Sequence, residues 1–157
     1  MKAFASLALL AALLFTTSCT ANGAVAEGTQ TGPMDFRTLS SSTYAQADQP
    51  ANIVVTDEAT YRRTWETMIG SSEPPQADFA TDTVIFLFGG MRPTGGYAFD
   101  VRGVRLEGDT LIVDGGVKSP PRGSAVTQAL TSPHTVIAVK SRAIKNVRLL
   151  NETPAAS

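Results

Sequence analysis

Apolar and polar positions change rhythm several times along this chain, and each rhythm predicts an element. At residues 57–69 the side chains Tyr61, Trp65, Met68 and Ile69 recur at i, i+4, i+7 and i+8, one apolar stripe of a helix. Thr56 is the expected N-cap, Asp57 and Glu58 bring negative charge to the first turn, and Gly70 follows the end. Glu58, Arg62 and Glu66 fall four apart on another face, which is read as solvated. Residues 83–88 are apolar almost throughout (Val84-Ile85-Phe86-Leu87-Phe88), as in a strand buried on both faces.

Beyond residue 96 the period becomes two. Tyr97, Phe99 and Val101 alternate with Ala98, Asp100 and Arg102, the pattern of a half-buried strand. Val104 and Leu106 then occupy the other parity, so a β-bulge is expected near Gly103. Glu107-Gly108-Asp109-Thr110 predicts a tight turn into Leu111-Ile112-Val113. Residues 135–139 and 145–150 supply two more strands, and 34–39 and 53–55 are strands before the helix. Consecutive strands with short connections favour antiparallel pairing. The predicted class is α+β, mainly β: an antiparallel sheet core with one packed helix at 57–69. No internal repeat is visible, which excludes a solenoid or propeller.

The N-terminus has a separate logic. Lys2 is the only charge before the apolar run at 3–15, and the small residues Thr16-Thr17-Ser18 follow it. A charged start, a short apolar core and a small-residue exit make residues 1–18 a secretory signal peptide. The run is shorter than the roughly 20 apolar residues of a bilayer span. Cys19, the single cysteine, follows at once, so an intramolecular disulfide is excluded. Its position resembles the lipobox of bacterial lipoproteins, in which this thiol receives a diacylglyceryl group. Thr16 stands where the usual leucine would be. The reading makes Cys19 lipidated, 19–32 a flexible polar tether, 33–151 one globular domain and 152–157 a frayed tail. It implies a monomeric domain tied to a membrane through Cys19, in the bacterial cell envelope, facing the periplasm or the cell surface.

Charge and rare residues narrow the chemistry. A net charge of −1 with no basic run offers no footprint for nucleic acid. One histidine and one cysteine cannot furnish a zinc cluster, and no Asp-x-Asp-x-Asp-Gly calcium loop occurs, so no metal or other cofactor is expected. Ser132-Pro133-His134 sets a hydroxyl near the sole imidazole, with Asp100 or Asp114 as conceivable orienting groups. No nucleophile elbow frames it. His134 opens an alternating strand, where a partly exposed side chain is expected, and the domain is read as non-catalytic.

What remains is a pair of loops. Gly89-Gly90-Met91-Arg92-Pro93-Thr94-Gly95-Gly96-Tyr97 joins two strands with four glycines and a proline. It opens a strand rather than a helix, unlike a phosphate-binding loop. The second loop is 123–133. Turn chemistry alone can account for the first, and an irregular edge strand for Thr127-Gln128-Ala129-Leu130. Arginine and tyrosine are also enriched at binding hot spots. The candidate protein-binding residues are therefore Arg92, Pro93, Thr94, Gly95, Gly96 and Tyr97, with Thr127, Gln128, Thr131 and Ser132.

Gly-x-Arg-Pro-Thr-Gly-Gly-Tyr, the Pro120-Pro121 segment, and Thr-Gln-Ala-Leu-Thr-Ser-Pro before a strand resemble the C-terminal domain of the PrcB family. The Trp65 helix and the Asp78-Phe79 lead also fit that layout, over roughly residues 53–140. His134 departs from it, standing where the family often has tyrosine. The family is named for a lipoprotein subunit of a cell-surface serine protease complex. The resemblance implies a non-catalytic accessory or stabilising subunit for an exported protease or another envelope protein. Pro93, Thr94, Gly96 and Tyr97 are also similar to the Asn-Pro-Thr-Thr-Gly-Tyr loop of chagasin-like cysteine protease inhibitors, which are small β-sandwiches. That would make the Arg92–Tyr97 loop an insert for a protease cleft, although the helix argues against a plain sandwich. A third reading is a structural envelope lipoprotein with no dedicated partner.

Overall fold

The computed structural model of the chain describes residues 32–70 and 72–150. The expected signal peptide at 1–18, Cys19, all of the expected tether but Gly32, and the expected frayed tail at 152–157 lie outside them. The described strands are β1 (Pro33–Met34), β2 (Phe36–Ser42), β3 (Pro50–Val55), β4 (Thr83–Gly89), β5 (Ala98–Glu107), β6 (Thr110–Lys118), β7 (His134–Val139) and β8 (Asn146–Leu149), with helix α1 (Glu58–Met68) between β3 and β4. They build two four-stranded sheets, β1-β5-β6-β8 and β2-β7-β4-β3. The expected single sheet is thus a sandwich with a helix on its outside.

Strand β4 explains the layering. Ile85 and Leu87 point into a core shared with Ile137 and Val139 of β7 and with Phe99, Val104, Leu106, Leu111 and Val113 of the opposite sheet. Val84, Phe86 and Phe88 point the other way, into a second core with Val136, Ala138, Tyr61 and Trp65. Successive side chains of a strand face opposite sides, so only an unbroken apolar run can fill both cores. All seven residues of β4 are buried, as the pattern predicted. Phe86 is the hub of the outer core, with ring centroids 5.8 Å from Tyr61 and 6.4 Å from Trp65. The Tyr61 hydroxyl donates to Pro75 O at 2.9 Å, and burial pushes this phenol up to about 12.

The helix carries the predicted stripe, with Tyr61 and Trp65 buried. Its N-cap is Asp57 rather than Thr56: the Asp57 carboxylate accepts from Thr60 N at 2.9 Å, and that bond lowers its pKa. Among the described residues no helix is long and apolar enough to cross a membrane.

Pairing departs from expectation at both ends of the chain. The predicted strand at 34–39 divides at Asp35, because β1 pairs with β5 in one sheet and β2 pairs with β7 in the other. Strand β8 runs parallel to β6, not antiparallel, since the chain crosses from one sheet to the other after β7. The bulge is where the phase shift put it, between Val101 and Gly103. Strand β6 extends past Leu111-Ile112-Val113 through Gly115-Gly116 to Lys118.

This topology gives the sandwich two unlike poles. Ser42 and Phe88 pair with His134, Pro50 with Gly89, and Ala98 with Lys118, so the connections 43–49, 90–97 and 119–133 all emerge at one pole. Pro33 pairs with Arg105, near the end of β5 where Glu107 turns back to Thr110, so the chain enters at the other pole. Phe86→Ala should cost about 3–5 kcal/mol in a denaturant or thermal melt, because it empties the centre of the outer core. In the same melts Asp57→Ala should lower the midpoint while Thr56→Ala leaves it in place, separating the true cap from the predicted one.

Candidate functional site

At the first pole the two predicted loops lie side by side. Gly89 N donates to Pro133 O at 2.8 Å where β4 ends. Arg92 and Thr131 then exchange a pair of backbone bonds, N to O at 2.7 Å and 3.0 Å, as a short antiparallel bridge. Gly95 N donates to Thr127 O at 2.9 Å, and the Thr131 hydroxyl donates to Thr94 O at 2.8 Å. The loops are therefore one braced unit rather than two free turns.

Two glycines set how close they come. A Cβ on Gly95 would collide with Thr127 Oγ1. Gly96 has φ +83°, in the left-handed region, and a Cβ there would meet Pro120 Cβ at 2.9 Å and Val126 Cγ1 at 3.1 Å. These glycines are the condition for the two loops to touch.

The candidate residues separate into braces and surface. Arg92 turns back on its own loop: its Nη2 donates to Gly89 O at 2.7 Å, and the guanidinium lies 5.9 Å from the Tyr97 ring centroid. Arg92 and Tyr97 are half-buried, as is Thr94, and Gly95 is buried. Thr131 and Ser132 are also buried, with both hydroxyls engaged, Ser132 Oγ donating to Ala47 O at 2.7 Å. Thr131 and Ser132 hold the loops together and are closed to solvent, whereas Arg92, Thr94 and Tyr97 are only partly covered. Pro93, Gly96, Thr127 and Gln128 are exposed.

A third loop, 43–49, completes the pole and was not singled out from sequence. Ser132 N donates to Thr43 O at 2.9 Å, Met91 N to Asp48 O at 3.0 Å, and Gln46 N to Met68 O of the helix at 2.7 Å. Ala47 is buried in the outer core. The three loops together raise Tyr44, Met91 and Leu130 into solvent, 61%, 48% and 63% exposed. Among the described residues only Leu150 is also a large exposed hydrophobe, so three of four gather at this pole. Single apolar residues in unremarkable turns gave little sequence signal; only their shared pole makes them a surface.

The histidine differs from expectation. His134 is wholly buried, not partly exposed, because it faces the outer core beside Phe88, ring centroids 6.1 Å apart. Neither ring nitrogen makes a well-formed hydrogen bond. Burial lowers its pKa, opposed in part by the nearby Tyr44 backbone carbonyl. The Ser132 hydroxyl is turned to Ala47 O, and Asp100 and Asp114 flank Arg102 at 4.0 Å and 2.5 Å in an exposed ion cluster. Among the described residues no group of three or more His, Cys, Asp and Glu side chains is placed to hold a metal ion.

Fold and pole together define a helix-backed β-sandwich with a three-loop platform at one end. Residues 83–140 match the model of the PrcB C-terminal family. The matched span runs from β4 through β7 and includes both predicted loops; α1, β1–β3 and the 43–49 loop precede it. No curated protein and no solved structure matches the chain.

The brace has a direct test. Gly95→Ala should destabilise the domain by about 1–3 kcal/mol through overpacking against Thr127. Adding Thr127→Ala removes the colliding oxygen and should restore most of that loss. Melts in which the double variant is as unstable as Gly95→Ala would show that the loops are not packed this way.

Proposed function

We propose that this protein is a lipid-anchored accessory subunit of the bacterial cell envelope, whose non-catalytic domain binds and stabilises an exported protein of the protease-complex kind. The observation that carries the reading is the three-loop pole. The exposed side chains of Tyr44, Met91 and Leu130 stand on three loops of one pole that are fixed to one another by backbone hydrogen bonds. Braced loops lose little conformational entropy on binding, and aromatic and methionine side chains are enriched in interface cores. The PrcB C-terminal match, which covers two of these loops, supports association with a protease complex. Entry of the chain at the opposite pole suits a domain tethered through its N-terminus, with the platform directed away from the anchor.

On this reading the partner meets apolar side chains and exposed loop backbone. Arg92 is not the hot-spot contact its residue type suggested, because its guanidinium is committed to Gly89 O and Tyr97. The same commitment weakens the inhibitor alternative, which needs the Arg92–Tyr97 loop free to enter a cleft.

In envelope extracts, Tyr44→Ser/Met91→Ser/Leu130→Ser should lose at least about tenfold of the co-purifying exported protein that wild type retains, the scale on which interface anchors act. Equal recovery by a triple variant that melts like wild type would refute the platform. Labelled palmitate should enter the wild-type protein and not Cys19→Ser; label in both would remove the anchor from the proposal.

A further inference from the structure

We infer that His134 makes the three-loop platform pH-responsive: protonation of its ring releases the 43–49 loop and dissolves the surface that this loop completes. The inference rests on the reading of this pole as the binding face, but its test does not use a partner.

His134 opens β7 immediately after Thr131 and Ser132, the two buried residues that brace the other loops. Its ring is fully buried, neither Nδ1 nor Nε2 makes a well-formed hydrogen bond, and the Tyr44 backbone carbonyl is the one acceptor that acts on it. A neutral imidazole tolerates that apolar setting beside Phe88, whereas an imidazolium there would be a buried charge with no counter-charge. Among the described residues no charged group acts on the ring, neither from α1 across the outer core nor from Arg92, which is held on Gly89 O. Strand β4 contains no titratable side chain, and β2 contributes only Arg37, which lies 3.9 Å from Asp82 toward the other pole. The 43–49 loop contributes Tyr44, whose side chain is exposed, and Asp48, which is also exposed; neither charge perturbs the ring. Only burial and the Tyr44 backbone carbonyl act on it.

The charged ring must therefore reach water, and the cheapest cover to move is the loop. Strands β2 and β4 are tied to β7 by six paired residues each. The 43–49 loop is held by backbone bonds from Ser132 to Thr43, Met91 to Asp48 and Gln46 to Met68, and by the Ser132 hydroxyl to Ala47. Freeing it exposes His134 at a fraction of the cost of breaking a sheet. It also carries Tyr44 away from the other two loops.

The sign follows from linkage. The folded-state pKa lies below the ordinary value, so the unfolded or opened chain binds more protons in that window. Closure of the loop is thus favoured above about pH 6.5, the unperturbed value, and weakens as pH falls toward the folded-state pKa.

The chain has a single histidine, so one imidazole signal reports this site in an NMR titration. Amide exchange on the same samples, expressed as protection factors, reports the loop through the amides of Ser132 and Met91. Their protection should fall by about tenfold or more between about pH 7.5 and pH 5, tracking an imidazole midpoint below 6.5. In His134→Phe the protection should stay flat with pH. The inference fails if the ring titrates at its ordinary value with protection unchanged, or if His134→Phe keeps the full pH dependence. Should the variant not fold, the wild-type titration decides alone. Pulldown failure leaves this result untouched, so the two proposals fail separately.

Discussion

Everything in this molecule hangs on the two-sided burial of β4 against β7. Six residues of each strand pair in register, and each strand sends alternate side chains into two separate cores. One core joins the sheets and the other seats the helix through Tyr61, Trp65 and Phe86. Neither core could form alone around these strands, because leaving one face of a wholly apolar strand in water forfeits the gain on the other. The same pair ends at Gly89 and begins at His134, so it also fixes where the two glycine- and proline-rich loops start and that they start together.

From that fixed origin the loops are shaped by close approach. Gly95 and Gly96 let backbone meet Thr127 and Pro120, and Thr131 bridges Arg92 by backbone and Thr94 by its hydroxyl. The polar side chains that first look like contacts are largely consumed in holding the loops. Exposed apolar residues from three connections are left over. The chemistry of a surface built this way lies in Tyr44, Met91 and Leu130 rather than in its arginine.

Sequence periodicity was legible wherever a residue's neighbours along the chain decide its environment. The apolar run of β4, the Tyr61/Trp65 stripe, the bulge before Gly103 and the turn at Gly108 all follow from local spacing, and all are present. Two facts were not local. Division of the strands into two sheets depends on Asp35, an ordinary exposed residue at which the chain changes partners. Parallel pairing of β8 with β6 depends on a crossover that its short apolar pattern does not encode. At the site, loops 90–97 and 123–133 were both legible as candidates, and both fall within the matched family span, but their contact depends on backbone bonds that the sequence does not record. The 43–49 loop was not, because its place is set by hydrogen bonds from Ser132 and Met91 that no spacing records. His134 misled for a related reason. Alternation assigns a side to a strand residue, but whether that side meets water is settled by the segment folded over it.

The central claim is that the three-loop pole is where this protein meets another. A photo-reactive phenylalanine analogue placed singly at Leu130, Met91 or Arg148 tests it inside intact cells. Leu130 and Met91 stand on the platform, whereas Arg148 is exposed on β8 in the other sheet. The account predicts a discrete, light-dependent adduct with an exported protein from either loop position and none from Arg148. Adducts from Arg148 with none from the loops would contradict it.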